Sequence, residues 1–216
     1  MPTGSLSRRP SSKRRVKLPI SIRNAILPSE MTVQERILDI KQKLRLSMNG
    51  VASGSMRQAG IEYKLNFGVG IPELKRIASE IEKDAELAGA LWKEDIRECR
   101  MIAAMIYPED RFLPDLADVW IEQIEYPDLA EVCCMYLFCR MQGASEAAFR
   151  WIASDNGMAR YCGFLTLAHL LRQGREMSER YVLELKDQAT AAINGADLMC
   201  AQAAKTALDC LERDNG

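Results

Sequence analysis

The sequence predicts an all-α fold, a right-handed α-solenoid in which helical pairs stack into a superhelix, and three observations carry that prediction. Apolar residues recur at three- and four-residue spacing, as Met101, Ile102, Met105 and Ile106 do in LWKEDIRECRMIAAMI. That spacing lays a buried stripe along one face of a helix. The layout of this stretch, a helix end, a tight corner and a second helix, returns as VWIEQIEYPDLAEVCCMYLF from Val119 and as RWIASDNGMARYCGFLTLAHLL from Arg150. Trp92, Trp120 and Trp151 sit at one phase of it, 28 and 31 residues apart, a period that marks stacked supersecondary units. No segment shows the two-residue alternation of a strand.

Length and composition bound the rest. A chain of 216 residues that is 48% hydrophobic can bury one continuous core. The net charge of -1 hides an asymmetry: residues 1–30 carry seven basic residues against Glu30, +6 in all, which leaves -7 on residues 31–216. The seven cysteines have no CxxC spacing and fall on apolar helix faces. They read as buried free thiols of a reducing cytoplasm, not as a disulfide frame or a zinc site. No apolar run approaches the ~18 residues of a membrane span, and no signal-peptide segment is evident. The expectations are a cytoplasmic monomer with no metal, cofactor or membrane partner.

In chain order, residues 1–30 hold four of the eight prolines and many Ser and Arg. They read as a disordered basic tail, or as an upstream extension if Met31 is the start. Residues 31–216 form the folded domain. Thr32 and Glu35 make a capping box ahead of Ile37, Leu38, Ile40, Leu44 and Leu46, in a helix that ends near Asn49-Gly50. A loop with Gly60, Gly68 and Gly70 follows, then a helix with Pro72 at its start and Leu74, Ile77, Ala78 and Ile81 on its apolar face. The glycines suit a backbone that approaches something closely. Gly68-Val69-Gly70 lacks the preceding strand and third glycine of a phosphate-binding loop. Four regular pairs complete the domain: 84–92 with 95–106, 113–124 with 127–141, 145–154 with 157–172, and 178–194 with 196–213. The tryptophans read as packing between helices, Arg97, Glu98 and Arg100 as a solvated corner, and the single His169 as a packing residue.

The stretches NFGVGIPELKRIASEI, LWKEDIRECRMIAAMI and WIASDNGMARYC resemble the DNA alkylation repair family of HEAT-like-repeat proteins, the AlkD-like glycosylases, over residues 32–213. The resemblance implies HEAT-like (ARM-type) helical pairs whose concave face holds duplex DNA, including alkylated DNA, and excision of cationic N3- and N7-alkylpurines without base extrusion. Such a base is already a charged leaving group. The enzyme must stabilise an oxocarbenium-like sugar and position a water, which a carboxylate does, while aromatic faces hold the cation. The family's Trp-Asp-x-x-Asp motif falls on Pro127-Asp128-Leu129-Ala130-Glu131, with Tyr126 the nearest aromatic. By the resemblance Glu131, with Asp128 beside it, is the carboxylate, Arg160 is the arginine that contacts DNA, and a second aromatic is expected near Thr206. Lys64, Lys75 and Arg76 could line a phosphate-binding face.

Each of these residues also has a plainer role open to it. Asp128 and Glu131 lie where first-turn acids complement a helix dipole. Arg160 suits an inter-repeat salt bridge, and Lys75 and Arg76 suit the polar side of an amphipathic helix. Two functions follow: a DNA-binding protein of alkylation repair, or a non-catalytic repeat scaffold that binds nucleic acid or a protein.

Overall fold

The computed structural model describes residues 31–214, so the tail read as disordered lies outside the described residues. Eleven α-helices are described: α1 Val33–Leu46, α2 Gly50–Gln58, α3 Ile71–Ser79, α4 Ala85–Trp92, α5 Arg97–Ile106, α6 Pro114–Glu122, α7 Pro127–Tyr136, α8 Ala144–Ile152, α9 Gly157–Arg172, α10 Glu179–Ile193 and α11 Leu198–Asp214. Short 3-10 turns, Glu109–Arg111 and Phe138–Arg140, follow α5 and α7. No strand occurs among the described residues.

The starts are written in the sequence. Asn49, Asp84, Asn156 and Ser178 cap α2, α4, α9 and α10 by accepting hydrogen bonds from first-turn N–H groups. Pro114 and Pro127 open α6 and α7, where a missing N–H costs nothing. Second helices of successive pairs then pack side by side in the order α5, α7, α9, α11, with α3 on the outer side of α5. The first helices α4, α8 and α10 lie against their own partners, and α1 lies against α4. The result is the expected solenoid of helical pairs.

The three tryptophans are buried, as their common phase requires. Trp92 and Trp120 stack with ring centroids 3.8 Å apart, Phe112 meets Trp120 edge-on at 5.0 Å, and Phe138 links Phe112 to Trp151. This ladder ties three pairs together, at about 0.5–1.5 kcal/mol per ring pair beyond the buried area. Indole N–H groups are not left stranded: Trp92 Nε1 donates to Gln123 Oε1 and Trp151 Nε1 to Asp118 Oδ1. All seven cysteines are free and buried. Burial pushes the Cys99 thiol up to about 12, and burial with neighbouring Asp197 does the same for Cys200, so neither is a ready nucleophile.

Three local expectations are corrected. Residues 50–58, given no element in the sequence reading, form α2. Tertiary contacts compensate its weak propensity: the Ser53 hydroxyl donates to Asn66 O, and Asn49 N–H donates to Phe67 O. Gly68 makes that approach possible, since it has φ +69° and a Cβ there would lie 2.2 Å from Asn49 O. Second, α3 ends at Ser79, short of Ile81, where the Ser79 hydroxyl turns back to Arg76 O. Third, the helix expected to reach 141 breaks at Leu137, at φ -130° and ψ -59°. Leu137, Phe138 and Cys139 are all fully buried, and three consecutive residues cannot all face the core from a straight helix.

Candidate nucleic-acid interface

Parallel packing of α5, α7, α9 and α11 brings their N-terminal ends into one row. Arg97 of α5 bonds Asp128 of α7, Tyr161 of α9 bonds Glu131 of α7, and Cys200 Sγ of α11 contacts Gly157 O of α9. Every residue that the resemblance singles out on a second helix therefore lies along one edge or in the helix turns just behind it.

At the α5 end of the row sits a buried charge network, contrary to the solvated corner expected of Arg97 and Glu98. Arg97 is 4% exposed and Glu98 is fully buried. Glu98 accepts hydrogen bonds from the backbone N–H groups of Phe67 and Val69, and from Arg97 Nη1 at 3.0 Å. Arg97 Nε donates to Asp128 Oδ2 at 2.7 Å, and Nη1 also reaches Val69 O. The Tyr63 hydroxyl closes the set on the other oxygen, Asp128 Oδ1, at 2.7 Å. Burial opposes the Arg97 charge, and Asp128 and Glu98 outweigh it, so the guanidinium is held more firmly protonated than usual. Burial and the bond to Asp128 push the Tyr63 phenol far up, so it stays a donor. Arg100 is also drawn inward: it bonds Trp92 O and Gln123 O and lies over the Trp92 ring. A buried charge is tolerable only when paired and bonded in this way.

Asp128 and Glu131, one helical turn apart, differ in kind. Both oxygens of Asp128 are engaged, whereas Glu131 is exposed and takes one bond, from the Tyr161 hydroxyl to Oε1 at 3.0 Å. Burial, then Glu131, raises the Tyr161 phenol, which keeps its proton on the phenol side of that bond. Tyr126 packs on Tyr63 with centroids 4.7 Å apart, making a half-exposed aromatic pair next to Asp128. Arg160 is half-buried in the first turns of α9, and its charge acts on Asp197, whose carboxyl is lowered chiefly by its bonds from Cys200.

The three weaker candidates make contacts of their own. Lys64 is exposed and 3.8 Å from Asp95. Arg76 is engaged by Glu73 on the same helix and by Glu80 at its C-terminal cap, the arrangement of an ordinary polar face. Lys75 stands over the Tyr136 ring at 5.9 Å. The row adds Tyr63, Tyr161, Arg97 and Glu98, none of which sequence reasoning had placed in the site. Only the pairing across 30 residues or more reveals them. Among the described residues no cluster of His, Cys, Asp or Glu could hold a metal, and no helix is long and apolar enough to cross a membrane.

A family model described as "DNA alkylation repair enzyme" matches residues 40–197, well over half of the chain. The protein belongs to the DNA alkylation repair enzyme family. A solved structure from a new family of proteins related to the HEAT-like repeat DNA glycosylases, with affinity for branched DNA structures, aligns with a TM-score of 0.74. It shares 20% identity and the match covers 81% of this chain and 75% of that one, a likeness that establishes the fold. No curated protein matches the chain.

In this alkylation-repair family member α7 begins with Asp128 and Glu131 in its first turns, and has Pro127 where the resemblance expects an aromatic. Near the second expected aromatic, Thr206 bonds its hydroxyl to Gln202 O within α11. The aromatic surface of the row comes from Tyr63 and Tyr126 instead.

Proposed function

We propose that this alkylation-repair family protein binds duplex DNA along the N-terminal edge of α5, α7, α9 and α11, and that Glu131 is the carboxylate acting on a cationic N3- or N7-alkylpurine nucleotide held there. The observation that carries this is the contrast between the two acids: Asp128 is fully engaged, while Glu131 is open and steadied by Tyr161. A cationic purine leaves without protonation, so the chain must supply negative charge near the sugar C1′ and a site for water. Glu131 meets both needs with its free oxygen, and the Tyr63 and Tyr126 rings offer faces that attract a cation, at about 0.5–2 kcal/mol. Arg160, near the positive end of the α9 dipole, grips a phosphate.

A second function is favoured by Pro127 and Thr206: a member without excision activity that binds DNA, branched DNA included, as a structural protein. Incubating the purified chain with N-methylated duplex DNA and measuring released purines separates the two. Expected is release by wild type, none by Glu131→Gln with binding equal or tighter, and weakened binding by Arg160→Ala with a salt slope lower by about one unit. DNA binding without release by wild type establishes the structural role; no DNA binding at all overturns both.

A further inference from the structure

We infer that the corner between α1 and α2 is a second DNA contact, one that covers a base-pair face left unstacked at a branch or a kink. Leu46, Met48 and Val51 are 81%, 61% and 81% exposed, three large apolar side chains within six residues of one tight turn. Around them the chain changes character: residues 40–61 contain four basic residues and no acid, inside a body of net charge -7. Lys41 and Lys43 are neutralised by Glu94 and by Asp39 and Glu80, but Arg45 and Arg57 are exposed and enter no ion pair among the described residues.

An apolar knob flanked by unpaired arginines fits a ligand that is flat and apolar at its centre and anionic at its rim. A base pair unstacked from its neighbour, with phosphates on either side, has that chemistry, and apolar wedges at such steps are how proteins hold bent or opened duplexes. Three side chains are too few for a stable protein interface, which needs about 800 Å² from each partner, yet suffice to cover one base pair.

The corner is also rigid, as a wedge must be. Asn49 N–H is bonded to Phe67 O and the Ser53 hydroxyl to Asn66 O, and the Phe67 N–H is held in turn by Glu98. The wedge is thereby fixed to the same network that positions Asp128. The inference rests on the proposed DNA binding and adds a preference for discontinuous duplexes.

The test measures binding of the full chain to a fluorescein-labelled four-way junction, a duplex with a one-base bulge, and a continuous duplex of equal length. Leu46→Ser, Met48→Ser and Val51→Ser together should weaken binding to the junction, or to junction and bulge alike, by about tenfold and leave the continuous duplex unchanged. Arg45→Ala with Arg57→Ala should lower the salt slope on all three by about two units. Should the triple variant fold poorly, Val51→Ser alone gives the same selectivity at smaller size. Equal loss on all three DNAs, or no loss, overturns the inference; if Arg160→Ala still weakens binding in that case, the proposed function stands without it. A triple variant that melts well below wild type with DNA binding intact also overturns it, because the corner then packs on the chain itself. Wild type that binds none of the DNAs overturns the inference and the proposed function together.

Discussion

The hydroxyl of Tyr161 on α9 lies 3.0 Å from Oε1 of Glu131 on α7 and donates to it, across 30 residues of sequence. The bond leaves the second carboxylate oxygen free and fixes where it points. Tyr161→Phe removes the donor and keeps the buried ring, so stability should fall by no more than about 1 kcal/mol. If Glu131 acts on substrate, a carboxylate free to rotate should lower the excision rate by about tenfold with DNA affinity unchanged. Single-turnover release kinetics beside a binding isotherm check this; a loss of affinity at full rate would contradict it.

Arg97→Ala should be among the most damaging single changes in the chain. It leaves Glu98 fully buried without its cation and strips Asp128 of the same partner, an outcome that typically costs about 3–5 kcal/mol. For a domain of this size that is a fall in melting temperature of about 10 °C. Arg97→Met combined with Glu98→Gln should recover part of the loss by removing the stranded charge. A melting curve for Arg97→Ala within about 2 °C of wild type would mean the network is not closed in solution.

Two glycines with similar backbone and different surroundings give a controlled comparison. Gly68→Ala forces a Cβ into Asn49 O and should cost about 3 kcal/mol or more, loosening α2 from the loop. Gly60→Ala, at φ +83° with nothing within 4 Å, should cost only the left-handed penalty of about 1–2 kcal/mol. Urea denaturation of both variants measures the difference.

Acid should destabilise the protein through two groups, Asp84 and His169. Burial opposes the Asp84 charge, but the N–H of Leu87 and the Arg36 guanidinium prevail and lower its carboxyl; the stability it contributes is present above the ordinary aspartate value and lost as pH falls through the lowered one. Burial, with Arg172 and Arg140, lowers His169 below its ordinary 6.5, so the folded state resists protonation and stability declines as pH drops beneath that value. Denaturant titrations at several pH values should show a shallower decline for His169→Gln starting near pH 6.5, and for Asp84→Asn only below about pH 4. Parallel curves for wild type and both variants would contradict the assignment.

Helix pairs were legible because their causes are local. The spacing of Met101, Ile102, Met105 and Ile106, the prolines at 114 and 127, and the caps at Asp84 and Asn156 act within a turn or two, and the tryptophan period repeats that information three times. Where residues failed to predict their element, distant contacts had outweighed local preference. The glycine- and serine-rich α2 stands because Asn66, Phe67 and Gly68 fold back onto it, and α7 breaks at Leu137 because burying Leu137, Phe138 and Cys139 together is worth more than another helical turn.

The candidate site divides the same way. In the sequence, Asp128, Glu131, Arg160 and Tyr126 are marked by the resemblance to the family's motifs. Sequence reasoning also misjudged Arg97 and Glu98 as solvated, since charged side chains are almost never fully buried without partners and, apart from each other, theirs lie far off in sequence. Their partners, Asp128 thirty-one residues onward and the Phe67 and Val69 amides about thirty residues back, arrive only when the loop, α5 and α7 pack together. By itself the sequence determined the all-helical repeat, through short-range periodicity, and the family, through the stretches that resemble it. Only the tertiary structure decided which carboxylate is locked and which is open, because the energy of a charge depends on the donors that surround it, and those donors come from other helices.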